Sequence, residues 1–212
     1  GRLMDVLIEL AGTHDTDALA RLVWLDTADT EPTPEELATF SGHLSAWWDT
    51  CRDSFTAYLA REASGAAIGV AWVSLAPRVP RPGALERFSG DIQTVYVVPA
   101  HRRQGIGSAL VSALLAGASA PLYLTCRAGL QAYYARFGFR TIGPEEMPPY
   151  FRRVARLMNL FAPAGRPRLL VMRWDGPAPD QGQAPSQARA PAPSVGPTVE
   201  KAAVPGPESP AV

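Results

Sequence analysis

Apolar residues along this chain alternate between a period of two and a period near 3.6, and the changes of period mark out its elements. Asp5–Leu10 reads as a first strand. His14-Asp15-Thr16-Asp17 then offers N-cap side chains for a helix carrying Leu22, Val23 and Leu25. A break follows over Thr27–Pro32. Thr33-Pro34-Glu35-Glu36 has the order of a capping box, with proline at the first helical position. Leu37, Phe40, Leu44, Trp47 and Trp48 fall on one face after it, which predicts a second helix to about Thr50. Period two returns in Phe55–Ala60 and Ala66–Leu75, joined by an Ala63-Ser64-Gly65 turn. Pro77–Gly90, punctuated by proline and glycine, reads as a loop.

The second half repeats the alternation. Thr94-Val95-Tyr96-Val97-Val98 is a strand, and a helix runs from about Gly107 to Ala116. Leu122–Cys126 is a fifth strand, and Leu130, Tyr133 or Tyr134, and Phe137 share a helical face. Gly138 suits the C′ position of that helix. Arg140–Ile142 reads as a sixth strand, Tyr150–Phe161 as a helix with Phe151, Val154, Leu157, Met158 and Phe161 at helical spacing, and Leu169–Trp174 as the last strand. From Gly176 to Val212 there is frequent proline, no aromatic residue and no periodicity. Such a segment cannot bury enough apolar surface to offset its ordering entropy, so residues 176–212 are expected to be disordered.

Composition narrows the function classes. Twenty basic and 20 acidic residues cancel, which gives no electrostatic footprint for nucleic acid or an anionic membrane. No apolar stretch is long enough to span a bilayer and no signal peptide opens the chain, so the expected setting is cytoplasmic. The two cysteines, Cys51 and Cys126, match neither a metal spacing nor a disulfide framework; Cys126 reads as a buried small hydrophobe.

The chemistry concentrates between Thr94 and Leu110, where a strand feeds a basic loop, two glycines and a helix. A helix N-terminus presents unpaired N–H donors and a positive dipole end to phosphate. Glycine lets backbone approach a ligand, and Arg102 and Arg103 add charge. A dinucleotide fingerprint would need a third glycine where Leu110 stands, and a P-loop would need a lysine, whereas the chain's one lysine is Lys201. The pattern that fits is Q/R-x-x-G-x-G/A at Arg102, Gly105 and Gly107, and Tyr-x-x-x-Gly-Phe follows at Tyr134, Gly138 and Phe139.

Through these two motifs residues 4–175 resemble the GCN5-related N-acetyltransferase (GNAT) superfamily. The resemblance implies one α/β domain on a mixed, mostly antiparallel sheet, with splayed parallel fourth and fifth strands and helices on both faces. It implies acetyl-CoA as co-substrate, no metal, and direct acetyl transfer to an amine of a small molecule or peptide in a ternary complex. A protein lysine or N-terminal acetyltransferase and a non-catalytic acyl-CoA-binding module are the alternatives, and the acceptor and oligomeric state stay open, although homodimers are frequent among members. Carried over by position, backbone groups of Val97 and Val98 would hold pantetheine and the thioester carbonyl, with the Val97 N–H polarising it. Arg102, Arg103, Gln104, Gly105, Ile106, Gly107 and Ser108 would hold the pyrophosphate, with Arg127 a further cofactor contact. Tyr134 would donate a proton to the departing sulfur. Many members carry glutamate where Gln93 stands; Asp91, on the same face of a regular strand, is the substitute base acting through water, with Glu145 and Glu146 as further candidates. Acidic residues Asp26, Asp29, Glu31, Glu35 and Glu36 could favour a cationic acceptor or serve the helix dipoles, and Trp47 and Trp48 could wall a pocket or pack in the core.

Overall fold

The structure, a computed structural model, describes residues 6–82, 85, 88–118, 121–160 and 169–177, the side chains of 158–160 excepted. The expected strand start at Asp5, the helix end at Phe161, part of the 77–90 loop and the tail from 178 onward lie outside them.

Seven strands form one sheet in the order β1-β2-β3-β4-β5-β7-β6: β1 (Val6–Leu10), β2 (Phe55–Glu62), β3 (Ala67–Pro77), β4 (Phe88–Val97), β5 (Leu122–Arg127), β6 (Arg140–Thr141) and β7 (Leu169–Trp174). β1 to β4 make an antiparallel meander. The two-residue β6 pairs with β7, which lies between it and β5. β4 and β5 are parallel, and the crossover such a pair requires is supplied by helix α3 (Ile106–Gly117). Their pairing is short: Gly90, Asp91 and Ile92 face Leu122, Tyr123 and Leu124. Beyond Ile92 and Leu124 the ladder stops, and the strands part as the resemblance implied.

Helices α1 (Thr16–Ala28) and α2 (Pro34–Cys51) cover one face, and α3 the other. On the α3 side Ile106, Leu110 and Leu114 pack on Ala71, Val73, Ile92, Leu122 and Leu124. On the opposite side Leu19, Leu22 and Trp48 pack on Leu59, Val70, Trp72 and Tyr96. The short helix α4 (Gln131–Ala135) joins the α3 side through Tyr134, whereas Phe151 and Ala155 of α5 (Pro149–Leu160) bury Tyr123 and Val171 on the other. Burying a side chain such as Leu110 contributes roughly 1.5–3 kcal/mol, so this two-sided burial is what holds the parted strands.

Local signals behaved unevenly. Thr33 Oγ1 accepts from the Glu36 N–H at 3.3 Å and Glu36 Oε2 accepts from the Thr33 N–H at 2.8 Å, the capping box expected for α2. At α1 the N-cap is Asp15, yet its carboxylate turns away from the helix to accept from the Gly12 N–H at 2.8 Å and to pair with Arg61, which also pairs with Glu9. That carboxylate ties β1, β2 and α1 together. The 77–90 loop is shorter than expected, because Ser89 and Gly90, poor strand formers by composition, pair with Ala76 and Leu75.

Candidate active site

The loop after β4 folds into a concave cradle. Arg103 (φ 66°) and Gly105 (φ 89°) both take the left-handed conformation, a concave arrangement that turns successive N–H groups toward one point. Gly105 is the N-cap of α3 and supplies no side chain to cap it. The N–H groups of Ile106, Gly107 and Ser108 are therefore left for a ligand. They open onto a groove of about 560 Å³ lined by Val95, Val97, residues 101–103 and 105–108, Tyr134 and Arg136 among others. At Gly107 a Cβ would lie 3.3 Å from the Tyr133 hydroxyl, which is itself 3.5 Å from Ser108 Oγ. Arg136 stacks over the Tyr133 ring at 4.9 Å. Tyr133, read from the helical pattern only as part of a stripe, and Arg136, which the sequence pattern did not single out, thus both line the groove.

The groove continues along the free edge of β4. Val98 donates its N–H to Ile68 on β3 and accepts from the His101 N–H, both at 2.9 Å, so its backbone is committed. Because neighbouring residues point their backbone groups to opposite sides, Val97 and Val95 face the gap left by β5. Val95, absent from the expectation, lines the groove beside Val97. Arg102 donates from Nε to the Val97 carbonyl at 2.9 Å and lies 5.6 Å over the Tyr96 ring, bracing the loop against the strand. Gln104 and Arg127 are exposed and stand outside the groove lining.

Tyr134 reaches the groove because of how α4 ends. Gly138 (φ 89°) sits at C′, its N–H bonds to the Ala135 carbonyl at 3.0 Å, and the Phe139 N–H reaches back to the Tyr134 carbonyl at 3.4 Å. This is a Schellman arrangement, whose usual hydrophobic contact is here Tyr134 against Phe139, with ring centroids 6.0 Å apart. The Tyr-x-x-x-Gly-Phe spacing is the covalent form of that geometry. Burial pushes the Tyr134 phenol up to about 12, with Tyr133 and Cys126 adding to it, so it stays protonated at neutral pH.

On the other face, β4 departs from regular geometry. Trp72 pairs with Thr94 and Val73 with Ile92, which leaves Gln93 as a bulge residue without a cross-strand partner. Asp91 is half-buried, and burial raises its carboxyl to about 7 against a smaller lowering by the Gln93 hydrogen bond. Several other acidic candidates have structural partners. Glu31 pairs with Arg21, Glu36 caps α2, and Glu146 pairs with Arg140 at 2.7 Å. Asp26 has its pKa raised by desolvation, against a smaller lowering by the charge of Arg102. Trp48 is a core residue, while Trp47 remains 42% exposed. Among the described residues no group of acidic, histidine and cysteine side chains could hold a metal ion, and no helix is long and apolar enough to cross a membrane.

Comparison with known proteins agrees with this architecture. An acetyltransferase from Streptococcus pneumoniae shares 18% identity at a TM-score of 0.54, covering 80% of this chain and 98% of its own. One from Trypanosoma brucei shares 21% identity at 0.51, covering 66% and 95%. One from Clostridium acetobutylicum, solved with acetyl-CoA, shares 17% identity at 0.50, covering 68% and 94%. At these identities the likeness is one of fold. No curated protein matches the chain. The family model for the acetyltransferase (GNAT) family matches residues 16–139, more than half of the 212 residues and inclusive of both motifs. The chain therefore belongs to the GNAT family of acetyl-CoA-using acetyltransferases.

Proposed function

We propose that this protein transfers the acetyl group of acetyl-CoA to a primary amine of a small molecule or peptide by direct attack in a ternary complex. The observation that carries the reading is the continuity of one groove from the uncapped N-terminus of α3, along the gap-facing edge of β4, to the hydroxyl-bearing Tyr134. Pyrophosphate on the 106–108 N–H groups would direct the pantetheine arm along Val97 toward Val95. The thioester carbonyl then meets the outward N–H groups of Val97 and Val95, where one preorganised donor can contribute about 3 kcal/mol to the oxyanion. Attack forms the C–N bond and breaks the C–S bond. The proton lost by the amine passes to Asp91, and Tyr134 protonates the departing thiolate and recovers a proton from water, to which Asp91 releases its own.

A base is needed because an alkylamine with a pKa near 10.4 is only about 0.1% neutral at pH 7.4. Asp91 stands four residues before Val95 with the Gln93 bulge between them, so its proton path runs through the acceptor and water. With its carboxyl near 7 it is matched to accept a proton at neutral pH. The test is CoA release by purified protein with acetyl-CoA and a panel of polyamines, aminoglycosides, arylalkylamines, amino acids and short peptides. Turnover with one group supports the transferase and identifies its acceptor class. Tight acetyl-CoA binding with no amine-dependent release would favour an acyl-CoA-binding module, and absent binding would overturn the assigned groove.

A further inference from the structure

We propose that Gln93, the bulge residue of β4, is a positioning residue: its amide lies on the face of Asp91 and holds the carboxylate that receives the acceptor's proton. The inference rests on the reading of Asp91 as the base. Gln93 Nε2 donates to Asp91 Oδ2 at 2.5 Å and to Ser74 Oγ at 3.3 Å, so one amide nitrogen is anchored on β4 and β3 together. Ser74 pairs with Asp91 across the β3–β4 ladder, which fixes the acceptor end of the second bond. An amide NH₂ only donates, and it favours a carboxylate in its ionised form. Burial drives the Asp91 carboxyl upward, and this hydrogen bond works against that rise.

The surroundings leave Gln93 as the group best placed for this task. From β5, Tyr123 stands beside Asp91 in the parallel register, and the Arg173 guanidinium of β7 lies 5.9 Å from the Tyr123 ring while pairing with Asp175. α5 contributes Phe151, stacked on Tyr123 at 5.3 Å. β3 contributes the Ser74 hydroxyl. Gln93 is exposed, so replacements of similar length fit at its position.

The discriminating experiment changes charge at similar length. The full chain, carrying ¹³C at aspartate carboxyls, is titrated by NMR, with Asp91→Asn identifying the Asp91 resonance. Gln93→Leu should move its midpoint to higher pH, and Gln93→Lys should lower it by about 1–3 pH units, as an opposite charge at that range does. A packing role would shift both variants in one direction or neither, and either result overturns the proposal. The acid limb of the kcat–pH profile, read with the best amine of the CoA-release panel, should follow the same two directions. Turnover lost in Asp91→Asn with no opposite shifts would overturn Gln93 alone. Opposite shifts with undiminished turnover in Asp91→Asn would overturn the base assignment and, with it, the catalytic role of Gln93.

Discussion

At its C-terminal end β4 offers a ligand mainly backbone, in the outward groups of Val95 and Val97 and the uncapped N–H groups of α3, whereas toward its N-terminal end it offers side chains, in Asp91 and Gln93. The first arrangement asks little of residue identity beyond glycine at particular places. The second depends on which residues stand at a bulge and on partners from β3 and β5. A backbone-built site can keep one co-substrate while the side-chain face is free to vary with the acceptor. Perturbing each end separately should therefore separate co-substrate affinity from turnover.

The largest effect is expected at the side-chain end. Asp91→Asn should lower kcat by 10²- to 10⁴-fold, the range for loss of a general base, with acetyl-CoA affinity unchanged by calorimetry. In the parent protein kcat should fall as pH drops through about 7, because the proton acceptor is then occupied. That limb should vanish in the variant. Retained turnover would show that the two ends are not divided in this way.

The reverse signature belongs to the cradle. Gly107→Phe should weaken acetyl-CoA binding by about 100-fold, near 2.7 kcal/mol. Its Cβ alone would stand 3.3 Å from the Tyr133 hydroxyl, and the ring would occupy the groove in front of the N–H groups. Tyr134→Phe should be milder, about tenfold in kcat or 1.4 kcal/mol, since a thiolate is a competent leaving group without full proton transfer. Its acetyl-CoA affinity should stay, and a loss there would assign Tyr134 to binding.

This division also explains what could be read in the sequence. The cradle was legible because a backbone site writes itself as glycines between a strand and an apolar helix, at Gly105 and Gly107. Tyr134 was legible because a Schellman turn fixes its spacing to Gly138 and Phe139. The left-handed Arg103 was not, since nothing in an arginine announces positive φ. The bulge at Gln93 leaves no compositional mark, and Val95 looked like any strand residue until the strands were seen to part after Ile92. The insertion of β7 between β5 and β6 is likewise a matter of long-range pairing, invisible to local periodicity.

The smallest effect expected concerns stability at the side-chain end. Asp91 titrates near 7 when folded and near 3.9 when unfolded, so its folded-state pKa is raised. Below about pH 4 it is protonated in both states, and its contribution to stability is fully present. As pH rises toward 7 the unfolded chain releases the proton while the folded chain retains it, and the contribution is progressively lost. Asparagine cannot ionise, so Asp91→Asn should match the parent near pH 4 and melt at a higher temperature at pH 8. Thermal melts of both proteins across that interval make the comparison. A variant that loses turnover yet gains stability only as pH rises above about 4 would show that the buried charge is kept for chemistry at a cost to the fold. A difference that stays constant with pH would mean that Asp91 is not held protonated by burial, and the side-chain end of β4 would lose its claim to be tuned for proton transfer.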